Sequence, residues 1–279
     1  MSATPFRRIL AAATLLALLA LSACAAGPAS HAGQTAAQPS PSTPAPTPSA
    51  SPSPTARPKP GSLDWYVSQV PTFPEAPPPR PVPLPVTGAI PFWHRVPTDQ
   101  KVAFITIDDG GLARPPAVPD FIGRARIPVT MFLNSPAAEE YGDYFRQIQA
   151  SGGIVENHTI RHNSLSGRSY GYQKEEICGA ADKLETLFGK RATLFRPPFG
   201  EYDSTTIQAA RDCGAKAVLH WSETVHEGKV RYQTPEKVVR PGDVLLMHFR
   251  PALMDDLLAA LKAIHRAGLT PALLEDYIR

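Results

Sequence analysis

Asp108 and Asp109 close an apolar run, Val102-Ala103-Phe104-Ile105-Thr106-Ile107, and His158-x-x-x-His162 follows another, Gly153-Ile154-Val155. One carboxylate with two imidazoles at i and i+4 is a three-ligand set for a divalent ion, since one helical turn puts both histidines on one face. The second carboxylate then stands beside the ligands, placed to act on water that the ion activates. That combination points to hydrolysis. Each part alone has a plainer explanation: Asp-Asp-Gly after a strand is often only a turn, and a lone His-x-x-x-His is often a pair of surface or capping residues. Two further segments, Arg196-Pro197-Pro198-Phe199-Gly200 and Leu245-Leu246-Met247-His248, argue against coincidence.

The elements that must position these residues alternate regularly beyond Thr98. Short apolar runs predict strands over 102–107, 128–133, 153–156, 192–195, 215–219, 243–247 and 269–272. Helical stretches are expected at 115–125, 140–151, 172–188, 203–213 and 253–267. The last carries Leu253, Leu257, Leu258, Leu261 and Ile264 on one stripe, with Gly268 as its stop signal. Such alternation predicts βαβ units and an α/β fold around a parallel sheet, closed or nearly closed. Asp108, His158, Arg196 and His248 each follow a strand directly, and in barrels of this type the C-terminal strand ends share one active face.

These segments resemble the polysaccharide deacetylases, the NodB-like domain of carbohydrate esterase family 4, over roughly residues 98–279. The resemblance implies a distorted (β/α) barrel of about seven parallel strands. Thr106-Ile107-Asp108-Asp109-Gly110 matches the first motif, with Asp108 as base and Asp109 as metal ligand. His158-Thr159-Ile160-Arg161-His162 matches the second, whose two histidines complete the metal site. Arg196-Pro197-Pro198-Phe199-Gly200 resembles the third, in which the arginine orients the base. Leu246-Met247-His248 resembles the fifth, which supplies the general acid. The fourth motif departs: this chain reads Trp221-Ser222-Glu223-Thr224-Val225-His226, and Phe249 follows the acid where Asp is common.

The roles follow. Asp109, His158 and His162 suit catalytic Zn²⁺, with Co²⁺ or Ni²⁺ able to substitute. The same set would suit non-haem Fe(II), but that chemistry needs a reductant and a cosubstrate and has no use for the second aspartate. Asp108 takes a proton from water, a backbone N–H near Phe199 helps stabilise the oxyanion, and His248 protonates the departing amine. Arg196 holds Asp108 ionised; its alternative is a surface cap on the 203–213 helix. Glu223 either polarises His248 with a longer arm than the family's aspartate or is a solvated loop residue. Trp221 is expected to line a sugar-binding wall. His94, His220, His226 and His265 have no partners in sequence and read as structural or exposed.

Composition bounds the rest. Of 32 prolines, 18 lie between Pro28 and Pro85 among Ala, Ser and Thr, which predicts a mostly disordered linker over 24–97 and one catalytic domain over 98–279. At the N-terminus, Arg7-Arg8 precede the thirteen-residue apolar run Ile9 to Leu21, the length of a signal h-region and too short for a permanent span. Leu21-Ser22-Ala23-Cys24 resembles a bacterial lipobox, so residues 1–23 read as a lipoprotein signal and Cys24 as the lipidated residue. The alternative is ordinary secretion with cleavage after Ala23 or Ala25-Ala26. Signal cleavage would remove Arg7 and Arg8 and no acid, so the formal charge falls from +3 to +1 (3 − 2), and near-neutrality with no basic stripe argues against nucleic acid. Outside the cytoplasm Cys178 and Cys213 suit a disulfide, against the alternative of two buried thiols. The expected protein is a monomeric, membrane-anchored N-deacetylase facing the cell wall, acting on peptidoglycan or chitin-like glycan. Its rivals are an O-deacetylase of xylan and a catalytically lapsed carbohydrate-binding lipoprotein.

Overall fold

The computed structural model describes residues 57–279; the signal segment, Cys24 and the linker up to residue 56 lie outside the described residues. Among the described residues the sheet runs β1 (Phe92–Trp93), β6 (Ala217–Leu219), β5 (Leu194–Phe195), β4 (Ile154–Asn157), β3 (Thr130–Leu133), β2 (Val102–Asp109), β9 (Val244–His248), β7 (Glu223–His226) and β8 (Lys229–Tyr232). β10 (Thr270–Ala272) adds to β2 ahead of the stretch that pairs with β3. Every pairing between these strands is parallel except the β7–β8 hairpin, and an isolated antiparallel bridge joins Arg95 and Asp243. The result is a curled, incompletely closed α/β sheet, as the sequence predicts. The addition is at its ends, where β1, β7 and β8 extend the seven expected strands.

β2 is buried through Asp108, as a continuous apolar run at the centre of a parallel sheet must be. Its alternation divides the core. Val102 and Phe104 face inward with Phe132, Leu194, Leu219 and Tyr277. Ala103, Ile105 and Ile107 face outward, against a cluster that includes Phe121, Phe145, Leu257 and Leu261. These come from α2 (Val118–Ala125), α4 (Gly142–Ala150) and α7 (Leu253–Arg266). α5 (Tyr170–Phe188) and α6 (Ser204–Asp212) cover the other flank through Ile177, Ala209 and Ala210. The interior is thus closed by apolar side chains at one end and becomes polar at the C-terminal strand ends, where Thr106 and Asp108 continue the inward face of β2.

The expected disorder of the linker is corrected over its last forty or so residues. α1 (Leu63–Ser68) is capped by Ser62, whose hydroxyl accepts from the Trp65 amide at 3.2 Å. Leu63, Tyr66, Val67, Val70 and Phe73 pack on the large core, and Tyr66 donates to Asp255 at 2.7 Å. The prolines that follow form an extended strap. Pro74 and Pro78 lend carbonyls to Thr270 and Gln100, and the Val82 amide donates to Tyr277 at 2.8 Å. Proline has no N–H to satisfy, so such a strap needs few partners. Its composition hides the six or so apolar anchors that hold it down.

Candidate active site and metal centre

Arg196 organises the inner end of the site. It follows β5, is fully buried, and donates from Nη1 to Asp108 Oδ1 at 2.6 Å and to Thr106 Oγ1 at 2.9 Å. Nη2 donates to the His220 carbonyl at 2.9 Å, and the guanidinium lies 4.2 Å from the centre of the Phe132 ring. Burial pulls its pKa below the usual arginine value, opposed by the charge and hydrogen bond of Asp108. This is no surface cap on α6, whose N-cap is Asp203. Arg196 commits one oxygen of Asp108 and leaves Oδ2 facing the cleft, 3.8 Å from His158 Nε2.

Asp109 turns the other way. Its φ of 75° ends β2 in the left-handed region, and Gly110 follows at 102°. A Cβ on Gly110 would stand 2.6 Å from Phe145 Cζ, so the glycine is required both by the turn and by the packing beneath it. Thr159, His162 and Phe199 also have positive φ, which concentrates backbone strain in three loops around one pocket. The two histidines are therefore not one helical turn apart. They lie on an irregular loop after β4, corrected from the helix that the i, i+4 spacing suggested, and positive φ at Thr159 and His162 does the work of bringing them together.

Asp109 Oδ1 is 3.1 Å from His162 Nε2 and 3.5 Å from His158 Nε2, and the two Nε2 atoms are 3.1 Å apart. Ligands ~2.0–2.1 Å from a tetrahedral ion are separated by about 3.3 Å, so this triangle has the right dimensions for one. His158 Nδ1 lies 2.8 Å from the Arg196 carbonyl. A carbonyl only accepts, so Nδ1 carries the proton and Nε2 offers its lone pair to the cluster, the usual outer support of a metal-binding histidine. Burial works to raise the Asp109 carboxyl, but the neighbouring His158 and His162 imidazoles, with the charge of His248, hold it well below the usual range. Burial also lowers His158, and here Asp108 and Asp109 prevail and raise it. The residues fit a divalent cation.

His248 ends β9 in register with Asp108, and its Nε2 is 4.0 Å from Asp109 Oδ2. Burial lowers its pKa; Asp108 and Asp109 oppose that, and Arg250 and His158 add to it. Pro197, Phe199, Trp221, Thr224, Leu246 and Arg250 complete the lining. Phe199 is 63% exposed and sits edge-on to His162 at 4.8 Å. Leu246 opens the Leu-x-His segment, whereas Thr224 and Arg250 match no motif residue. The alternation along β7 is the one signal that points to Thr224.

Glu223 does not join the cleft. β7 turns Thr224 toward it and Glu223 away, into a buried group with Asp243 and Arg95. Burial first, then the charge and hydrogen bond of Asp243, push its carboxyl up to about 9. It is neither a solvated loop residue nor a partner of His248. Cys178 on α5 and Cys213 at the end of α6 form a disulfide, their Cα atoms 4.9 Å apart. Among the unassigned histidines, His220 stacks on Trp221 and also neighbours His94.

Residues 95–218 match the model of the polysaccharide deacetylase family. An uncharacterized protein of Streptomyces coelicolor is 39% identical over 194 residues, which cover 67% of this chain and 77% of that one. A peptidoglycan-N-acetylmuramic acid deacetylase of Bacillus subtilis is 22% identical over 193 residues, or 64% of this chain and 72% of that one. Among solved structures, a family 4 carbohydrate esterase from Streptomyces lividans in complex with acetate aligns with a TM-score of 0.55 at 19% identity. That alignment covers 63% of this chain and 94% of the other, and it shows the shared fold.

Proposed function

The chain belongs to the polysaccharide deacetylase family, and on that premise we propose that it is a metal-dependent hydrolase that removes N-acetyl groups from an amino-sugar polymer of the cell wall. One observation carries the reading. Two adjacent carboxylates at the end of β2 have opposite surroundings, Asp108 on a buried guanidinium and Asp109 on two imidazoles. Asp109, His158 and His162 would hold a divalent cation, Zn²⁺ by their chemistry, which when bound would supply Lewis acidity at the cleft.

The chain's own groups then divide the proton transfers. Asp108 receives the proton of the attacking water on Oδ2, since Oδ1 is committed to Arg196. Arg196 keeps that carboxylate ionised and fixed in direction. His248, beside Asp108 on the neighbouring strand, gives a proton to the amine nitrogen as the C–N bond breaks, which releases acetate and a free amino sugar. Trp221 and Phe199 offer ring faces to the sugar, and the Phe199 amide is the candidate oxyanion donor. The Cys178–Cys213 disulfide favours an oxidising compartment. It agrees with export, with Cys24 lipidated, at the outer face of the membrane.

Acetate release from N-acetylated and O-acetylated glycans, with and without chelator, tests this reading. Release from N-acetylated peptidoglycan or chitin-like oligomers, abolished by chelator and restored by Zn²⁺, is expected. Release confined to O-acetylated xylan, or undiminished by chelator, would overturn it.

A further inference from the structure

Trp221 closes one wall of the cleft and begins a series of rings that leads out of it. His220 stacks on it, centroids 3.8 Å apart and planes within 10°. Beyond His220 lie His94 at 4.4 Å and Phe92 at 5.7 Å, and Phe92 stacks on Tyr202 at 3.9 Å. Three separate stretches of chain supply these rings. Phe92 and His94 belong to and follow β1, the added edge strand; His220 and Trp221 follow β6; Tyr202 ends the loop that carries Pro197 and Phe199 into the cleft.

The backbone holds these stretches in register. Phe92 and Trp93 pair with Val218 and Leu219, the His220 amide donates to the Trp93 carbonyl at 2.8 Å, and Ser222 Oγ donates to the His94 carbonyl at 2.8 Å. Gly200 lets the third stretch pass close by. A Cβ there would fall 2.3 Å from His220 Nε2 and 3.0 Å from Trp221, and φ at that position is 72°.

These rings do not fill the core. Tyr202 is 42% exposed and His94 is exposed, while Trp221, His220 and Phe92 are half-buried. Tyr202 has one face covered by Phe92 and its other side reaches solvent. Rings packed on one side and wet on the other, in a row that continues a binding cleft, suit flat partners with an apolar face and a polar rim. A pyranose ring is such a partner. Burial, with His94 beside it, pushes His220 down to about 4, so this part of the row is uncharged at neutral pH.

We propose that Tyr202, Phe92, His94 and His220 form a saccharide-binding ledge that continues from Trp221. It holds the sugars next to the one whose acetyl group lies at Asp108 and Asp109. It rests on the reading of the cleft as a glycan deacetylase site.

Calorimetric binding of the β-1,4-linked N-acetylglucosamine dimer and pentamer, in the presence of chelator, tests the ledge without turnover. The wild-type protein should bind the pentamer more tightly than the dimer. Tyr202→Ala should lower the pentamer-to-dimer affinity ratio by roughly 3- to 10-fold, the size of one aromatic contact, and Tyr202→Phe should restore it. His94→Ala provides a second variant from the other side of the row should Tyr202→Ala melt early. Equal wild-type affinity for both lengths, or equal loss on both in the variants, would overturn the ledge. Pentamer binding of the expected kind, but no acetate release once metal is supplied, would leave the ledge standing and sink the deacetylase reading instead.

Discussion

His158 donates through Nδ1 to the backbone carbonyl of Arg196, 2.8 Å away, while the guanidinium of the same arginine holds Asp108 at 2.6 Å. One residue thus steadies a proposed metal ligand with its main chain and the proposed base with its side chain. The two functions separate in Arg196→Lys. A lysine keeps the carbonyl and a charge but cannot reach Asp108, Thr106 and the His220 carbonyl together. Metal content should stay near one equivalent while turnover falls about 10- to 100-fold. Measurement of bound metal alongside acetate release checks this, and loss of the metal would show that the side chain, not the carbonyl, supports His158.

The adjacent carboxylates should respond differently to the same change. Asp108→Asn keeps the ligand triangle intact and removes the proton acceptor, so metal stays and turnover drops by ~10²–10⁴-fold. Asp109→Asn, like His158→Ala or His162→Ala, should weaken metal binding itself. Dialysis against graded chelator, followed by elemental analysis, distinguishes the two. Equal metal loss in both Asn variants would mean that the division of labour is wrong.

Glu223 yields a prediction opposite to the one its place beside the altered fourth motif suggests. Because it faces Asp243 and not His248, Glu223→Gln should leave the alkaline limb of the pH–rate profile where it is. The effect belongs to stability. Its folded carboxyl titrates near 9, against 4.5 ordinarily, so the folded chain keeps a proton that the unfolded chain releases as pH climbs through that window. Stability therefore falls with rising pH from this group, and it is fully favourable only below the ordinary value. Glutamine cannot ionise, so the variant should lose melting temperature less steeply between pH 5 and pH 9, to take round values inside about that window. A parallel slope in variant and wild type would show that Glu223 is already ionised at neutral pH.

The seven central strands and five of the helices were legible because each carries its own period, and the chemistry sat at strand ends where a parallel sheet must gather it. What escaped lacked a local signal. β7 reads as an interrupted motif because its pattern alternates a buried carboxylate, a cleft threonine and a buried valine. The His158–His162 pair meets Asp109 through a backbone other than the one its spacing suggested, since that spacing fits a helix and positive φ alike. The ring row is assembled from positions 92, 94, 202 and 220, which no window along the chain contains. The strap was hidden because disorder was inferred from average composition, whereas its attachment depends on a few side chains.

The disulfide should stabilise the loop that bears Arg196 and Phe199. Cys178 and Cys213 are 35 residues apart, and the stretch between them includes both residues. Closing a loop of that size in the unfolded chain contributes about 3–4 kcal/mol. The Cys178→Ser/Cys213→Ser double variant should therefore melt roughly 6–16 °C lower than the oxidised wild type. Calorimetry with and without reductant checks it. An unchanged melting temperature would mean that the two sulfurs are not bonded in the folded protein.

The strap belongs to the folded unit. A chain starting at Thr98 lacks Leu63, Tyr66, Val67, Val70 and Phe73 on the large core, Val82 beneath Tyr277, and β1 on the sheet edge. Each apolar side chain contributes on the order of 1–3 kcal/mol when buried, and these are partly buried, so several kcal/mol should be lost together. A fall in melting temperature of roughly 10–20 °C follows for a domain of this size. The shorter chain should also expose apolar surface to a hydrophobic dye. If the chain from Thr98 melted equally high, the strap would be an ornament on the domain, and the ledge at Phe92 and His94 would lose its foundation.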